Sequence, residues 1–151
     1  MKNKINFYII ISALIFCFAL NISAQSIEGN WKTFDDKTYA EKSDVYIWKE
    51  GNEYYGKIIK IYDVNKQNSI CVECDEDDMR YNKKINGMTI LTQLQKKNKN
   101  FWDNGKILDP ENGSVYNCSI KLISENEIEL RGYVGFSMLG RSQTWKRITK
   151  P

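Results

Sequence analysis

Short runs in which apolar and polar residues alternate with period two dominate this chain, and Gly, Asn and Asp interrupt them. Trp31 and Thr33 alternate with Asn30, Lys32 and Phe34 in a first strand. Residues 44–50 (DVYIWKE) form a second, and Gly51-Asn52 turns it into a third at 53–62 (EYYGKIIKIY). A long polar stretch follows over 63–86. Strands resume at 87–94 (GMTILTQL) and, with Trp102 leading in, at 105–109 (GKILD). Pro110-Glu111-Asn112-Gly113 is a turn, because proline presets one φ and glycine accepts a positive one. Over 114–122, Tyr116, Cys118, Ile120 and Leu122 face one way, and Val115, Asn117, Ser119 and Lys121 the other. Two further strands, 127–133 and 141–148, have Gly132, Gly135 and Gly140 within or between them.

About eight strands with short links and no long helix predict an all-β domain whose sequence neighbours pair antiparallel. Eight such strands with one apolar face close on themselves as an up-and-down barrel and so remove both exposed edges. A sandwich is the alternative. The hairpin-like links and the glycines suited to barrel corners favour the barrel.

The first residues stand apart from this pattern. Lys2 and Lys4 precede an apolar run over 5–20, and Asn21-Ile22-Ser23-Ala24 offers a small residue for cleavage. Residues 1–24 are therefore expected to be a secretory signal peptide, with 25–151 as a single barrel domain beginning at Gln25. The run is short for a membrane span of roughly 20 residues, so no span is expected after cleavage. Phe16 before Cys17 argues against a lipid anchor.

Export changes the picture of charge and cysteines. The formal net charge of +3 falls to +1 once Lys2 and Lys4 leave, and nothing points to a nucleic-acid partner. Of the four cysteines, Cys17 leaves with the signal. In an oxidising compartment Cys71 and Cys74 are expected to form a local disulfide, with Cys118 left over. A redox pair belongs at a helix start in an alternating strand–helix pattern, which the flanks here lack. A zinc site through Cys118 lacks a fourth ligand of the usual kind. The chain has no histidine, which removes Ser–His and Cys–His catalysis and imidazole metal sites. No cofactor is implied, and a hydrolase would need a carboxylate or metal mechanism that no spacing specifies. Asp35-Asp36 reads as a turn that caps backbone amides. Asp63 begins like a calcium loop but meets Asn68 and Cys74 where glycine and glutamate belong.

Closing the barrel brings the first strand beside the last. Arg147 is then expected over the face of Trp31, as a structural cation–π contact of about 0.5–2 kcal/mol at the seam. Gly29 would let the backbone turn into it. Gly-x-Trp on the first strand with an arginine on the last resembles the signature of lipocalins and their calycin relatives.

A longer pattern carries a closer resemblance. It comprises Gly29-x-Trp31-x-Thr33 with Asp35-Asp36, Gly51, Gly56, Cys71-x-x-Cys74, Gly87-Met88 with Ile90-Leu91, and Trp102-x-x-GKILDP-x-NG with Tyr116. Arg131-Gly132-Tyr133-x-Gly135 and Gly140-Arg141-x-Gln143-x-Trp145-x-Arg147 complete it. In these segments the chain resembles the exported bacterial family called domain of unknown function 2147. The resemblance implies a secreted or periplasmic lipocalin-like barrel, with no established activity and no catalytic residues to carry over. The family tends to have a proline shortly before its Gly-Met, where this chain has Tyr81 to Asn86.

The function expected is binding of a small, largely apolar ligand inside the barrel. Trp102 and Tyr116 would line the interior, and Asp109, Arg131 and Arg141 would meet a polar head group at the mouth. Alternation sets Arg131 on the face opposite Leu130 and Ile128, which speaks against an inward role. The alternative is a non-enzymatic envelope or protein-interaction module whose barrel is filled by its own side chains.

Overall fold

The computed structural model describes residues 26–149; the segment expected to be a signal peptide lies outside them. Eight strands follow one another: β1 (Gly29–Phe34), β2 (Glu41–Glu50), β3 (Glu53–Ile61), β4 (Thr89–Lys96), β5 (Phe101–Asp109), β6 (Ser114–Ser124), β7 (Glu127–Tyr133) and β8 (Gly140–Arg147). Each pairs antiparallel with the next, and β8 pairs with β1, so the sheet is a closed up-and-down barrel. No helix among the described residues is long and apolar enough to cross a membrane.

The elements lie close to the sequence pattern, and the departures have local causes. β5 starts at Phe101, earlier than the alternation suggests, because its register with β6 shifts between Trp102 and Gly105. Asn104 takes φ 63° at that shift, the mark of a bulge that breaks period two. Gln93 on β4 has φ 60° likewise. Gly105 faces the interior, where a Cβ would lie 2.7 Å from Leu94 Cδ1 and 2.8 Å from Cys118 Sγ. Only glycine leaves room for Leu94 there.

In an up-and-down barrel, alternate connections lie at the same end. The β2–β3, β4–β5 and β6–β7 turns therefore share one end with the chain segment that enters β1 and leaves β8. That end is filled. Trp31, Trp102, Leu94, Ile120, Ile128 and Ile47 are fully buried, and Tyr54 meets Trp102 edge-on with ring centroids 6.0 Å apart.

Between β1 and β8 only two residue pairs are in register, Trp31↔Arg147 and Lys32↔Lys146. The second sets two like charges opposite each other, which is unfavourable across a ladder. The first carries the seam. The Arg147 guanidinium lies 4.2 Å from the Trp31 ring centroid and donates to the carbonyls of Glu28 (2.7 Å), Ser26 (2.6 Å) and Glu125. Trp31 Nε1 donates to the Ile27 carbonyl at 2.8 Å. One arginine thus ties the entering segment, the β6–β7 turn and the last strand over one indole. Gly29 has φ +121°, and a Cβ on it would stand 2.9 Å from Arg147 Nη1. The glycine therefore makes room for the guanidinium as well as allowing the backbone bend.

The polar 62–88 connection between β3 and β4 is compact despite its composition. Cys71 and Cys74 are joined by a disulfide and buried. Cys71 exchanges backbone bonds with Lys83 and Asn82, and Ile85 bonds back to Ser69. The pair packs on the β5–β6 turn, where a Cβ on Gly113 (φ +70°) would overlap the Glu73 carbonyl. Cys118 is a free, buried thiol inside the barrel, and burial there pushes its pKa up to about 12.

Two outcomes follow from this packing. Arg147→Ala is expected to lower unfolding free energy in urea by about 2–4 kcal/mol, through lost charge-assisted hydrogen bonds and the cation–π contact. Arg147→Lys should recover only part, since an ammonium cannot serve three carbonyls in the fork geometry. A loss under about 0.5 kcal/mol, the range of ordinary surface changes, would remove Arg147 from the seam account. Second, a thiol reagent applied without reductant to the 25–151 chain should find no reactive cysteine in the folded protein and one after denaturation. Three in the unreduced, denatured chain would contradict the Cys71–Cys74 bond.

Candidate functional site

The opposite end gathers the β1–β2, β5–β6 and β7–β8 turns and the β3–β4 connection, and it is open. A cavity of about 640 Å³ descends from it between the strands. Its walls are Val45, Ile58, Ile90, Ile107, Leu130 and Trp145, and its rim includes Asp35, Asp36, Lys42, Asp109, Glu111 and Arg141. Gly132 adds depth, since the neighbours of a Cβ there, Tyr116 and Ile107, begin only at 3.8 Å.

The rim is made of charges that are already engaged. Asp35 accepts from the Thr38 amide (2.8 Å), the Thr38 hydroxyl (2.9 Å) and the Lys37 amide (3.1 Å). Those donors hold its carboxyl below the usual range, the Thr38 amide foremost. It is a turn cap. Asp36 does something else: it accepts from Gln143 Nε2 at 2.8 Å and forms an ion pair with Arg141. Gln143 Oε1 in turn accepts from Trp145 Nε1 at 3.3 Å. A polar string thus runs from the rim into the apolar cavity, and it joins the β1–β2 turn to β8 at the end of the seam opposite Trp31. Across the mouth, Glu111 takes Lys42 (2.7 Å) and Lys66 (3.1 Å), and the Lys42 hydrogen bond is the largest of the effects that lower its pKa.

Of the five side chains expected to meet a ligand, three lie together. Asp109, Tyr116 and Arg141 all line the cavity. Asp109 also caps the β5–β6 turn, accepting from the Glu111 amide (3.0 Å) and Asn112 Nδ2 (3.2 Å). Asn112 reaches the Tyr116 hydroxyl at 3.3 Å.

Trp102 and Arg131 lie elsewhere. Trp102 is buried in the filled end, under the Lys96 ammonium at 5.1 Å, because β5 carries it past the bulge and away from the mouth. Arg131 points outward, because it alternates with Leu130 and Gly132, which face in; its guanidinium bonds to the Ser142 hydroxyl and to loop carbonyls. Sequence reasoning missed Asp36, Gln143 and Trp145 as cavity residues. For Gln143 and Trp145 the signal was alternation with Arg141 on β8, which sets these three on the inner face; Asp36, in the β1–β2 turn, carried none.

Residues 29–147 match the family model described as an uncharacterised protein conserved in bacteria (DUF2147). No curated protein matches the chain. Among solved structures it is similar to protein HP1028 from the human pathogen Helicobacter pylori, described as belonging to the lipocalin family. The two are 20% identical over 82% of this chain and 84% of that chain, with a TM-score of 0.73. A redesigned β-barrel is matched over 82% of this chain and 92% of that chain at 12% identity, with a TM-score of only 0.46. The likeness to the Helicobacter pylori protein is one of fold, a lipocalin-like barrel.

Proposed function

The chain belongs to this bacterial family, and we propose that it is an exported binding protein holding a small, largely apolar ligand in the open half of its barrel. The cavity carries the proposal. Ligand pockets typically occupy roughly 300–1,000 Å³, with apolar walls and a few polar groups that fix orientation, and the space of about 640 Å³ under this mouth has that make-up. Water against Ile58, Ile90 and Leu130 finds few hydrogen-bond partners, so an apolar guest gains from displacing it. Asp36, Gln143 and Arg141, or Asp109 with Asn112, are positioned to meet a polar end at the rim. An interaction module with a side-chain-filled barrel accounts for the closed half alone.

Lys2, Lys4 and the apolar 5–20 run support export to the periplasm or the medium with cleavage after Ala24. The Cys71–Cys74 bond is in keeping with an oxidising compartment.

Native mass spectrometry of the protein purified from its own cells tests both statements. The expected spectrum has a mass beginning at Gln25 and a reproducible non-covalent adduct. Leu130→Trp, which fills the cavity, should lose the adduct while keeping the fold. A clean unliganded mass, in a protein that also fails to take up apolar fluorescent probes, would contradict the binding reading.

A further inference from the structure

The β7–β8 loop differs from the other turns at the mouth. Over 134–139 it reads VGFSML, and four of its six side chains are apolar and turned to solvent: Val134 at 66% exposure, Phe136 at 82%, Met138 at 88% and Leu139 at 74%. A contiguous apolar group of this kind on a folded surface marks a place that meets something.

The loop is braced so that its apolar side chains stay outside. Arg131, on the outer face of β7, donates Nε to the Ser137 carbonyl at 2.7 Å, Nη2 to the Met138 carbonyl at 3.3 Å and Nη1 to the Ser142 hydroxyl at 3.1 Å. Inside the loop, the Leu139 amide bonds to the Phe136 carbonyl at 3.0 Å. Gly140 packs where a Cβ would stand 2.6 Å from the Gly132 carbonyl. These bonds hold the backbone against the barrel wall and turn Phe136 and Met138 outward.

The brace also carries charge. All three acceptors of Arg131 are neutral, and among the described residues its guanidinium forms no ion pair, Glu129, two residues before it on β7, included. An apolar tip therefore sits beside a guanidinium that is not ion-paired. We propose that this loop docks the mouth of the barrel on an anionic lipid surface, with Phe136 and Met138 entering the acyl boundary and Arg131 at the level of the phosphates. Size favours lipid over a protein partner. Four exposed apolar side chains offer far less than the roughly 800 Å² per partner of a stable protein interface, whereas a bilayer needs only a few side chains to insert. Val134 and Leu139 also border the cavity, so docking would bring the opening to the membrane. The inference stands on the loop and does not depend on the cavity being occupied.

Flotation with vesicles tests it, comparing phosphatidylcholine alone with phosphatidylcholine containing phosphatidylglycerol. The wild-type protein should float with the anionic vesicles, less with neutral ones and less as salt rises. The double variant Phe136→Ser, Met138→Ser, whose side chains contribute little to the fold because they are exposed, should bind at least about tenfold more weakly with its Tm unchanged. Ile123→Ser, 49% exposed beside the β6–β7 turn at the opposite, filled end, should float like the wild type. Failure of the wild type to float with anionic vesicles would overturn the proposal. So would equal flotation of the double variant, or a lipid-free dimer that the double variant abolishes, which would make a second copy the occupant. Uptake of an apolar fluorescent probe, read on the same samples, reports on the cavity alone, so failure of either reading is visible separately.

Discussion

The closure of the sheet between β1 and β8 is the constraint on which the rest depends. Seven of the eight strand junctions join neighbours in sequence, so local turns help to align them. The eighth must bring the two ends of the domain together, and it has only two pairs in register, one of them lysine against lysine. What holds it is the guanidinium of Arg147 on the ring of Trp31, with its hydrogen bonds to three backbone carbonyls. Because the arginine binds backbone, it ties the entering segment and the β6–β7 turn to the last strand. Charge-assisted bonds in a half-buried place are stronger than neutral ones.

Closing the barrel in this way divides it. The seam's backbone pairs lie near the filled end, and above them the join between β1 and β8 passes to side chains: Asp36 with Gln143 and Arg141. Large residues, three of them aromatic (Trp31, Trp102 and Tyr54), occupy the filled end. Toward the mouth the inward positions become smaller or more polar, among them Thr33, Ser43 and Gly132, and the space opens. The same connections that bound the opening carry the disulfide-braced 62–88 segment and the apolar β7–β8 loop. The tightest packing is concentrated at one end and the open space at the other.

Much of the fold was legible in the sequence because period-two alternation reports a half-buried strand directly. The clean faces of β6 and the spacing of Trp31 and Arg147 at the two ends carried the barrel and its seam. What alternation could not show was the bulges. At Asn104 one extra residue shifts the register, and it hides the start of β5 and the depth at which Trp102 lies. The site was legible only in part for the same reason. Arg131 was correctly set on the outer face by alternation, yet Asp36 looked like a turn cap beside Asp35. Its partners on β8 are far away in sequence and become neighbours only when the barrel closes.

The claim that one half of the barrel is filled and the other receives a guest can be measured residue by residue. The four tryptophans sample distinct places: Trp31 and Trp102 in the filled end, Trp145 in the cavity wall, and Trp48 on the outer face, stacked between Tyr46 and Tyr55. With fluorotryptophan in the protein, ¹⁹F NMR during titration with an apolar probe should shift the Trp145 resonance and leave those of Trp31, Trp102 and Trp48 in place. A shift confined to Trp48, or one shared equally by Trp31 and Trp145, would contradict the account.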